Sequence, residues 1–551
     1  MNELLDTDRN FLFSLREKVP FEAFAASLRD LGYNIVGSTG TAKRFNEIGI
    51  ATVSLNDLVA EPILDHLVVT LHPKVHAGLV AENTERHRGE LRAKGYPWFA
   101  GVCVNLYPLS QAMAAQGATT ESILNEMDLG GIALLRSASK GARDGRLSLY
   151  DPNNLPDTVQ KLQGGTLDLA YCHHMAAKTD IYVAKYCSLT GQYRSNGRFY
   201  ALFGELASQC LYGENPHQKF AALYRRLFDT SSADNPLSLD KFVLQEGKAP
   251  SFINWTDVSR ALQMLRQIGV GTYVNGLLGS HPCFAVAVKH GNPCGAAMGS
   301  DPVEVMRKVV IGNPLAIMGG AIMANFPVTR EVAEVLAHHA IDDQNGRRIV
   351  DVVVAPEITV EAIEILKRKH DKCRFLANLA LRFIGLRGLR KDRLIRPTEG
   401  TFLLQDPSLF VPNFTDGSVE GFDPSCVSFV SDLVLGDALC RTSISNTIVL
   451  CKNGMLIGIG AGQQSRVRAA KLARDVAKED GRHDTQGSIA VSDSFFPYDD
   501  GPQVLADAGV LVLFATSGSI NDHLTMGLCH RRGVKLLWLP DKIARGFYGH
   551  G

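Results

Sequence analysis

The spacing of apolar residues near the start of the chain predicts alternating helices and strands. One helix face is outlined by apolar side chains at three- and four-residue intervals, namely Phe21, Phe24, Leu28 and Leu31. Residues 34–36 have the pattern of a strand, the small residues 37–42 form a loop, and a second helical stretch ends at Gly49. Repeated strand–helix units of this kind predict a mainly parallel, three-layer α/β domain that ends near residue 200.

The pattern changes after residue 200 to longer units that mix helices and strands. The clearest predicted elements are helices over 329–340 and 360–370, a strand over 351–355, and a β-hairpin whose apolar strands, 447–451 and 455–460, flank Asn453-Gly454. Periodicity alone therefore indicates two or three α/β domains. We place the boundary so that a first domain covers residues 1–200 and a second region covers residues 201–551.

The strongest candidates for catalytic residues lie at a strand end in the second region. Residues 283–288 form a short continuous apolar run, typical of a strand covered on both faces, and Gly, Asn and Pro at 291–293 break it. Lys289 and His290 therefore lie at the strand end, where they converge on one substrate only if the backbone leaves strand geometry at His290. A Lys cation beside a His suits proton transfer around a carbonyl. The alternative is a solvated Lys and a turn-capping His.

Composition argues against several functional classes. Lys and Arg total 57, as do Asp and Glu, so the formal net charge is zero and the chain offers no basic field for nucleic acid or an anionic membrane. With 45% apolar and 21% charged residues, it has the composition of an ordinary globular protein. No apolar run approaches the roughly 20 residues of a membrane helix, and the first residues lack the pattern of a secretory signal. We expect small-molecule partners and a cytoplasmic location.

The cysteines predict reduced thiols rather than a disulfide framework or a metal centre. Their number, 11, is odd, and they are scattered without framework spacing or a Cys-x-x-Cys pair. Cys294 lacks the second thiol and the upstream His-x-Glu of a zinc deaminase. No metal site is therefore predicted.

Several short motifs occur in a fixed order along the chain. They are Tyr212-Gly213-Glu214-Asn215-Pro216-His217-Gln218, Phe252-Ile253-Asn254, Lys289-His290, Ser445-Asn446, Gly458 to Arg466 and Ser492 to Pro497, preceded in the first domain by Thr70 to His76 and Asn105 to Pro108. In this order they resemble the bifunctional purine-biosynthesis family of AICAR transformylase/IMP cyclohydrolase, where AICAR is aminoimidazole carboxamide ribonucleotide. The resemblance spans nearly all 551 residues.

The resemblance implies a fold, a reaction and a set of partners. Its fold is a methylglyoxal-synthase-like first domain followed by a transformylase region of two related cytidine-deaminase-like subdomains, in an intertwined homodimer. Its reaction moves a formyl group from the cosubstrate 10-formyltetrahydrofolate to the 5-amino group of AICAR. That amine is a weak nucleophile, because its lone pair is delocalised into the ring and the carboxamide. The site must therefore remove its proton and stabilise a tetrahedral oxyanion.

The functional positions of the family carry over where this sequence matches them. Lys289 and His290 match its catalytic pair, with His290 expected to accept the proton and Lys289 to stabilise charge, and Asn446 matches its catalytic Asn. The substrate-binding matches are Tyr212, Asn254, Gln463, Arg466, Phe495, Asp500 and Arg545, the last in a changed C-terminal tail. An amide such as Asn254 both donates to and accepts from a carboxamide, although a loop-capping Asn is the alternative.

The transformylase half departs from the family pattern at three positions. Leu211 stands where the family usually has an Arg that helps to hold the ribonucleotide phosphate, so a bidentate anion contact is lost. The expected cost is about 1.5–3 kcal/mol for each lost hydrogen bond to the charged group. Met318 replaces an aromatic residue near the folate, and Asp499 replaces an Arg.

The cyclohydrolase half retains most of its expected residues but lacks two cations. The positions that match family residues on the nucleotide or reaction side are Lys18, Ser38, Thr41, Tyr107, Asp128 and Lys140. The loop 37–42 is either an anion cradle or an ordinary βα turn. Leu67 and Val69 stand where the family has an Arg and a Lys, and an aliphatic side chain cannot bind an anion in their place. Ring closure is therefore expected to be impaired.

Three functions are compatible with this pattern. The first is a folate-dependent formyltransferase that acts on AICAR or an AICAR-like aminocarboxamide, with a weak, lost or repurposed cyclohydrolase domain. The second is the ordinary bifunctional enzyme with compensating residues elsewhere. The third is a non-catalytic protein that binds folate or nucleotide. Retention of Lys289, His290, Asn254 and Asn446 argues against the third.

Overall fold

The computed structural model describes residue 4 and residues 7–59, 69–227, 235–341 and 346–549. Contacts within the chain divide it into two compact units, Met1–Phe203 and Gly204–Gly551. Each unit has its own sheets and its own apolar cores, so each is described by itself. No helix in the ranges given above is long and apolar enough to cross a membrane.

The first unit contains, among its described residues, a parallel sheet of five strands. In the spatial order β3-β2-β1-β4-β5 these are Thr52–Ser54, Asn34–Gly37, Asn10–Leu15, Phe99–Asn105 and Leu147–Leu149. The helices of this unit are α1 (Glu22–Asp30), α2 (Thr39–Glu47), α3 (Leu55–Val59), α4 (Pro73–Val80), α5 (Glu85–Lys94), α6 (Leu109–Ala114), α7 (Thr120–Asn125), α8 (Gly130–Gly141), α9 (Leu155–Gln163) and α10 (Leu169–Arg194).

Two apolar cores lie on opposite faces of this sheet. Successive side chains of a strand point to opposite faces, so Phe11 and Phe13 of β1 enter the core that contains Leu28, whereas Leu12 enters the core that contains Leu135. Helices therefore cover both faces, and the predicted three-layer, parallel architecture is confirmed. The predicted order of helix, strand and helix over residues 21–49 is also confirmed by α1, β2 and α2. The predicted loop 37–42 is shorter than expected, because α2 already begins at Thr39.

The second unit is dominated by a mixed sheet, with eleven strands in the part of the chain that the structure covers. In the order β20-β19-β18-β16-β17-β10-β9-β11-β12-β13-β8 these are Lys535–Pro540, Val512–Ser517, Ile489–Ser492, Ile448–Lys452, Met455–Gly460, Asn292–Gly299, Cys283–Lys289, Ala321–Ala324, Val352–Ala355, Arg374–Ala377 and Val243–Glu246. Two separate hairpins pair β6 (Gly204–Gln209) with β7 (Ala222–Arg226) and β14 (Leu394–Thr398) with β15 (Thr401–Gln405).

The helices of this unit are named in the same way. They are α11 (Phe252–Val274), α12 (Pro302–Gly312), α13 (Arg330–His338), α14 (Val360–Leu366), α15 (Val430–Cys440), α16 (Arg466–Asp475), α17 (Asp500–Asp507), α18 (Asp522–Arg532) and α19 (Asp541–Ala544). The helices predicted over 329–340 and 360–370 are confirmed as α13 and α14, the second ending four residues early.

The large sheet contains one arrangement twice. In the first half, β9 pairs antiparallel with β10 and β11, and β12 and β13 continue in parallel beyond β11. In the second half, β16 pairs antiparallel with β17 and β18, and β19 and β20 continue in parallel beyond β18. A helix precedes each half, α11 and α15 respectively, and the halves join through the antiparallel pair β10–β17. This repeat agrees with the expected pair of related subdomains.

The strand end predicted at Lys289 and His290 is confirmed, because β9 ends at Lys289. The chain re-enters the sheet at once, since Asn292 and Pro293 are the first residues of β10. Pro is tolerated at this point, since the start of a strand places few demands on a backbone N–H. The hairpin predicted around Asn453-Gly454 is confirmed by β16 and β17.

Candidate active site

The Lys-His pair lies at a two-residue turn. Lys289, the last residue of β9, pairs with Asn292 of β10, so His290 and Gly291 form the turn between them. Both have positive φ, 51° and 75°, which is the mark of a type I′ hairpin turn. The backbone thus leaves strand geometry at His290, as convergence of the two side chains requires. His290 is exposed and Lys289 is half-buried.

A buried carboxylate is hydrogen-bonded to the backbone of this turn. Asp257, in the second turn of α11, accepts a 2.8 Å hydrogen bond from the backbone N–H of Gly291. Its burial raises the pKa of the carboxyl, while that hydrogen bond and the nearby His290 act in the opposite direction. Asp257 is not among the residues predicted from the sequence, where its only signal is an acidic side chain on an otherwise apolar helix face.

A cavity of about 450 Å³ opens beside the turn. Lys289 lies at its wall and donates from Nζ to the carbonyl of Met318 at 2.7 Å. The cavity is lined by Lys289, His290, Asn292, Pro293, Cys294, Gly312, Asn313, Ala316, Leu456, Gly458, Ile459 and Val476. Burial raises the pKa of the Cys294 thiol to about 12, so this thiol stays protonated and is no nucleophile. The site is thus mainly apolar, with the Lys-His pair as its polar edge.

Strand ends from both subdomains meet on the side of the sheet where this turn lies. Ala297 of β10 is opposite Met455 of β17, and continuing this antiparallel register brings Asn292 beside Gly460. The C-terminal ends of β17, β18 and β20 and the N-terminal end of β16 therefore all face this side. The predicted residues adjacent to those ends are Asn446, Gln463, Arg466, Phe495, Asp500 and Arg545.

Asn446 is hydrogen-bonded on both sides of its amide to a network that includes a buried ion pair. Its Oδ1 accepts from Nη2 of Arg466 at 2.7 Å, and its Nδ2 donates to the carbonyl of Gln463 at 2.9 Å. Arg466 also forms a buried ion pair with Asp493 and donates to Ser492 Oγ at 2.8 Å. The guanidinium is therefore committed to protein partners, and the structure places Arg466 as the support of Asn446.

The other predicted residues of the second subdomain lie closer to the surface. Arg545 pairs with Asp541 at 2.6 Å and lies over the ring of Phe547, with 5.0 Å from its guanidinium carbon to the ring centroid. Asp500 is exposed in the first turn of α17. Phe495 is half-buried, whereas Phe496 belongs to the apolar core.

The predicted nucleotide-binding residues of the first subdomain, Asn254 and Tyr212, lie at the first turn of α11. Asn254 accepts from the N–H and hydroxyl of Ser251 through Oδ1, both at 3.0 Å, in a capping box. The carbonyl of Tyr212 accepts from the N–H of Phe252 at 3.1 Å, which places Tyr212 beside this helix start. Leu211 is 48% exposed, so the position could carry a longer side chain without disturbing a core.

The first unit brings together most, but not all, of its predicted residues. Lys18, Ser38, Thr41 and Tyr107 follow β1, β2 and β4, and the carboxyl ends of these parallel strands share one edge of the sheet. Gly131 lies against both Asp128 and Leu106, so Asp128 is next to this edge. Burial raises the pKa of Asp128.

Lys140 stands apart from this group. Lys140 is in the last turn of α8, roughly 15 Å along the helix axis from Gly130. Val69 is half-buried beside Thr70, whose hydroxyl has no hydrogen-bond partner among the described residues. Leu67 lies outside the described residues.

Comparison with known proteins gives the family. The model of the AICARFT/IMPCHase bienzyme matches residues 147–476, and the model of the MGS-like domain matches residues 21–133. The chain belongs to the AICARFT/IMPCHase bienzyme family, and the methylglyoxal-synthase-like and transformylase folds predicted for its two parts are confirmed. Enzymes of this family take 10-formyltetrahydrofolate as the formyl donor.

Two full-length relatives carry the same name. The bifunctional purine biosynthesis protein PurH of Cutibacterium acnes is 32% identical over 96% of this chain and 97% of its own length. The PurH of Anoxybacillus flavithermus is 32% identical over 96% of this chain and 98% of its own length. A match to a solved structure titled "Crystal structure of ForH" covers 35% of this chain and 99% of that chain, at 24% identity and a TM-score of 0.32.

Proposed function

We propose that this chain moves a formyl group from 10-formyltetrahydrofolate to the amine of AICAR or an AICAR-like aminocarboxamide. The observation that carries the proposal is the position of Lys289 and His290 at a turn with positive φ, beside a mainly apolar cavity of about 450 Å³. Such a cavity suits the ring system of a folate, and the polar edge suits the reacting amine and formyl group.

The two side chains divide the chemistry between them. His290 is exposed at the turn, where its imidazole accepts the proton that the amine loses as it attacks the formyl carbon. The bond between that carbon and the folate nitrogen then breaks, and the departing nitrogen takes up the proton, which gives tetrahydrofolate. Lys289 keeps its ammonium group near the cavity wall and stabilises the oxyanion of the tetrahedral intermediate. Asn446, locked by Arg466 and Gln463, is preorganised to hold the carboxamide or the intermediate.

We further propose that ring closure by the first unit is impaired. Support comes from Leu67 and Val69, which replace two cations. The alternative is a fully bifunctional enzyme, and one observation favours it: Lys18, Ser38, Thr41 and Tyr107 still share one sheet edge. The third possibility, a non-catalytic folate- or nucleotide-binding protein, is disfavoured by the intact support of Asn446 and of the His290 turn.

We propose a cytoplasmic homodimer that binds small-molecule nucleotide and folate, without nucleic acid or membrane. The equal numbers of acidic and basic residues and the full-length similarity to PurH proteins support this proposal. Sedimentation analysis of the purified chain at several concentrations tests the dimer, and a single monomeric species throughout would contradict it.

Mass-resolved product analysis tests the reaction. The purified protein is incubated with 10-formyltetrahydrofolate and AICAR while tetrahydrofolate release is followed. Formyl-AICAR without IMP is the expected result, whereas IMP would establish the bifunctional alternative. Bound folate without product would remove AICAR as the acceptor or establish the binding-only alternative.

A second variant addresses the acceptor. Leu211→Arg restores the cation at an exposed position beside Tyr212 and the start of α11. If the phosphate of AICAR docks there, its KM falls by about 10-fold or more, as expected for a hydrogen bond to a charged group. An unchanged KM would favour an acceptor that lacks this phosphate.

A further inference from the structure

Two cations without an acidic partner lie at the carboxyl end of β1. Arg16 and Lys18 follow this strand directly, and neither forms an ion pair with a carboxylate in the described part of the chain. Nζ of Lys18 donates to the carbonyl of Arg16 at 2.9 Å. Burial, and then the charge of Arg16, lowers the pKa of Lys18. The two positive charges therefore act on each other at this strand end, and Glu17 between them forms no ion pair with either among the described residues.

Arg16 is fixed by the neighbouring strand. Its backbone N–H donates to Oδ1 of Asn105, the last residue of β4, at 2.6 Å, and Nδ2 of Asn105 donates to the carbonyl of Glu17 at 3.1 Å. Its guanidinium carbon lies 4.7 Å from the ring centroid of Tyr107. Stacking on a ring holds the plane of the guanidinium and leaves its N–H edges available for an anion.

The position of these cations in the sheet is that of a ligand site. With the order β3-β2-β1-β4-β5, the direction of strand addition reverses between β1 and β4, and ligands of open parallel sheets bind outside the carboxyl ends at such a switch point. Arg16 and Tyr107 lie on the two sides of this switch point. Thr41, in the first turn of α2, accepts from the N–H of Leu15 at 3.1 Å, which ties the start of that helix to the same place.

We propose that Arg16, together with Lys18, binds the phosphate of a nucleoside monophosphate in the first unit. Arg16 thereby supplies a positive charge that Leu67 and Val69 do not. The planar guanidinium offers parallel N–H groups to two phosphate oxygens, and the hydroxyls of Ser38 and Thr41, 3.0 Å apart, border the same edge. The inference rests on the proposed function only in taking a nucleotide as the ligand.

Hydrogen–deuterium exchange of the full-length protein with IMP tests the proposal, with inosine as the probe without phosphate. IMP is expected to protect peptides that cover residues 15–18 and 37–42, and inosine is not. Arg16→Ala is expected to raise the IMP concentration needed for half-protection by about 10- to 100-fold, whereas Arg16→Lys, which keeps the charge and loses the planar fork, falls between. Inorganic phosphate is expected to compete with IMP.

The chain offers a matched control at the other end of the same strand. Arg9 directly precedes β1, and its guanidinium carbon lies 5.9 Å from the ring centroid of Tyr33. Arg9→Ala therefore removes a similar ring contact at the opposite sheet edge, and we expect it to leave protection by IMP unchanged.

The outcomes separate this proposal from the proposed function. Unaltered protection in both Arg16 variants would overturn the role of Arg16, and so would the absence of IMP protection in the first unit of the native protein. Formyl transfer is measured on the same samples, and it depends on the second unit. Its absence in the native protein would overturn the proposed function while the protection experiment still decides the role of Arg16. Melting curves check that each variant is folded.

Discussion

Two hairpin turns of the second unit share the same backbone geometry but differ in the surroundings of their side chains. Lys289-His290-Gly291 follows the first strand of one subdomain, and Lys452-Asn453-Gly454 follows the corresponding strand of the other. The two turn residues have φ of 51° and 75° in the first turn and of 54° and 71° in the second. Each turn is capped by an Asp of the preceding helix: Asp257 accepts from Gly291 at 2.8 Å, and Asp432 accepts from Gly454 at 2.5 Å.

The difference lies in what surrounds each turn. Nζ of Lys452 donates to the side chain of Asp484 at 3.2 Å and to the carbonyl of Gln486 at 2.7 Å, and the carbonyl of Asn453 accepts from Lys308 at 2.6 Å. Lys289 donates to a single carbonyl beside a cavity, and His290 is exposed. The Asp-capped turn is therefore a shared structural device, and only one copy leaves its charged and titratable side chains available for a reaction.

Exchanging the first turn residue tests the difference between the two turns most directly. His290→Asn gives the first turn the residue of the second, and Asn tolerates positive φ, so the fold should be kept. Without an imidazole to accept the proton, formyl transfer should fall by about 10²- to 10⁴-fold. The measurement is single-turnover formyl transfer, with a melting curve for each sample.

The reverse exchange is the control for that experiment. Asn453→His places an imidazole in the turn whose Lys452 is bonded to Asp484 and Gln486, and the formyl-transfer rate should stay at its native value. A His290→Asn enzyme that retains more than a tenth of the native rate would remove the assignment of His290 as the proton acceptor.

The two lysines provide the second comparison. Lys289→Met removes the ammonium group beside the cavity but keeps much of the aliphatic chain, and kcat should fall by about 10²- to 10³-fold with little change in melting temperature. Lys452→Met removes contacts to Asp484 and Gln486 and should lower the melting temperature while kcat stays near native. Equal losses of kcat in both variants would show that Lys289 acts through stability.

The sequence predicted a turn at both places but a hairpin at only one, for a physical reason. Asn-Gly is the preferred pair for a type I′ turn, so the hairpin at Asn453-Gly454 was predicted correctly, whereas His-Gly is uncommon there and Pro293 suggested a break. Local patterns predicted individual strands, the parallel sheet of the first unit and the position of the Lys-His pair at a strand end. Asp257 and the Arg466–Asp493 ion pair could not be predicted from local patterns, because each joins residues whose distance depends on how helices pack on the sheet.

The two Asp residues that cap the turns should affect the pH dependence of the free energy of unfolding to different extents. Burial raises the pKa of Asp432 from 3.8 to about 6, against the opposing effect of its hydrogen bonds from Gly454 and Asn453 and of Lys308. The native state therefore binds this proton more tightly than the unfolded state, and its contribution to stability falls as the pH rises from about 4 through 6. Two pKa units correspond to about 3 kcal/mol.

Asp432→Asn should remove that part of the pH dependence. Urea unfolding midpoints at pH 4 and pH 7 are compared for the native protein and the variant, and the difference between the two pH values should shift by the equivalent of about 3 kcal/mol. Because the pKa of Asp257 is also raised, a smaller dependence of the same sign should remain. An unchanged difference would show that Asp432 is ionised throughout.

The smallest expected effect is the loss of kcat when the Asp that caps the His290 turn is removed. Asp257→Ala removes the acceptor of the half-buried N–H of Gly291, and Asp432→Ala removes that of the N–H groups of Asn453 and Gly454. Each should lower the free energy of unfolding by about 1–3 kcal/mol. Only Asp257→Ala should also lower kcat, by about 10-fold, because it alone supports the turn that carries His290. The paired measurement is urea unfolding and kcat on the same preparations. If both variants lose stability and neither loses kcat, the carboxylate under the His290 turn serves the fold alone.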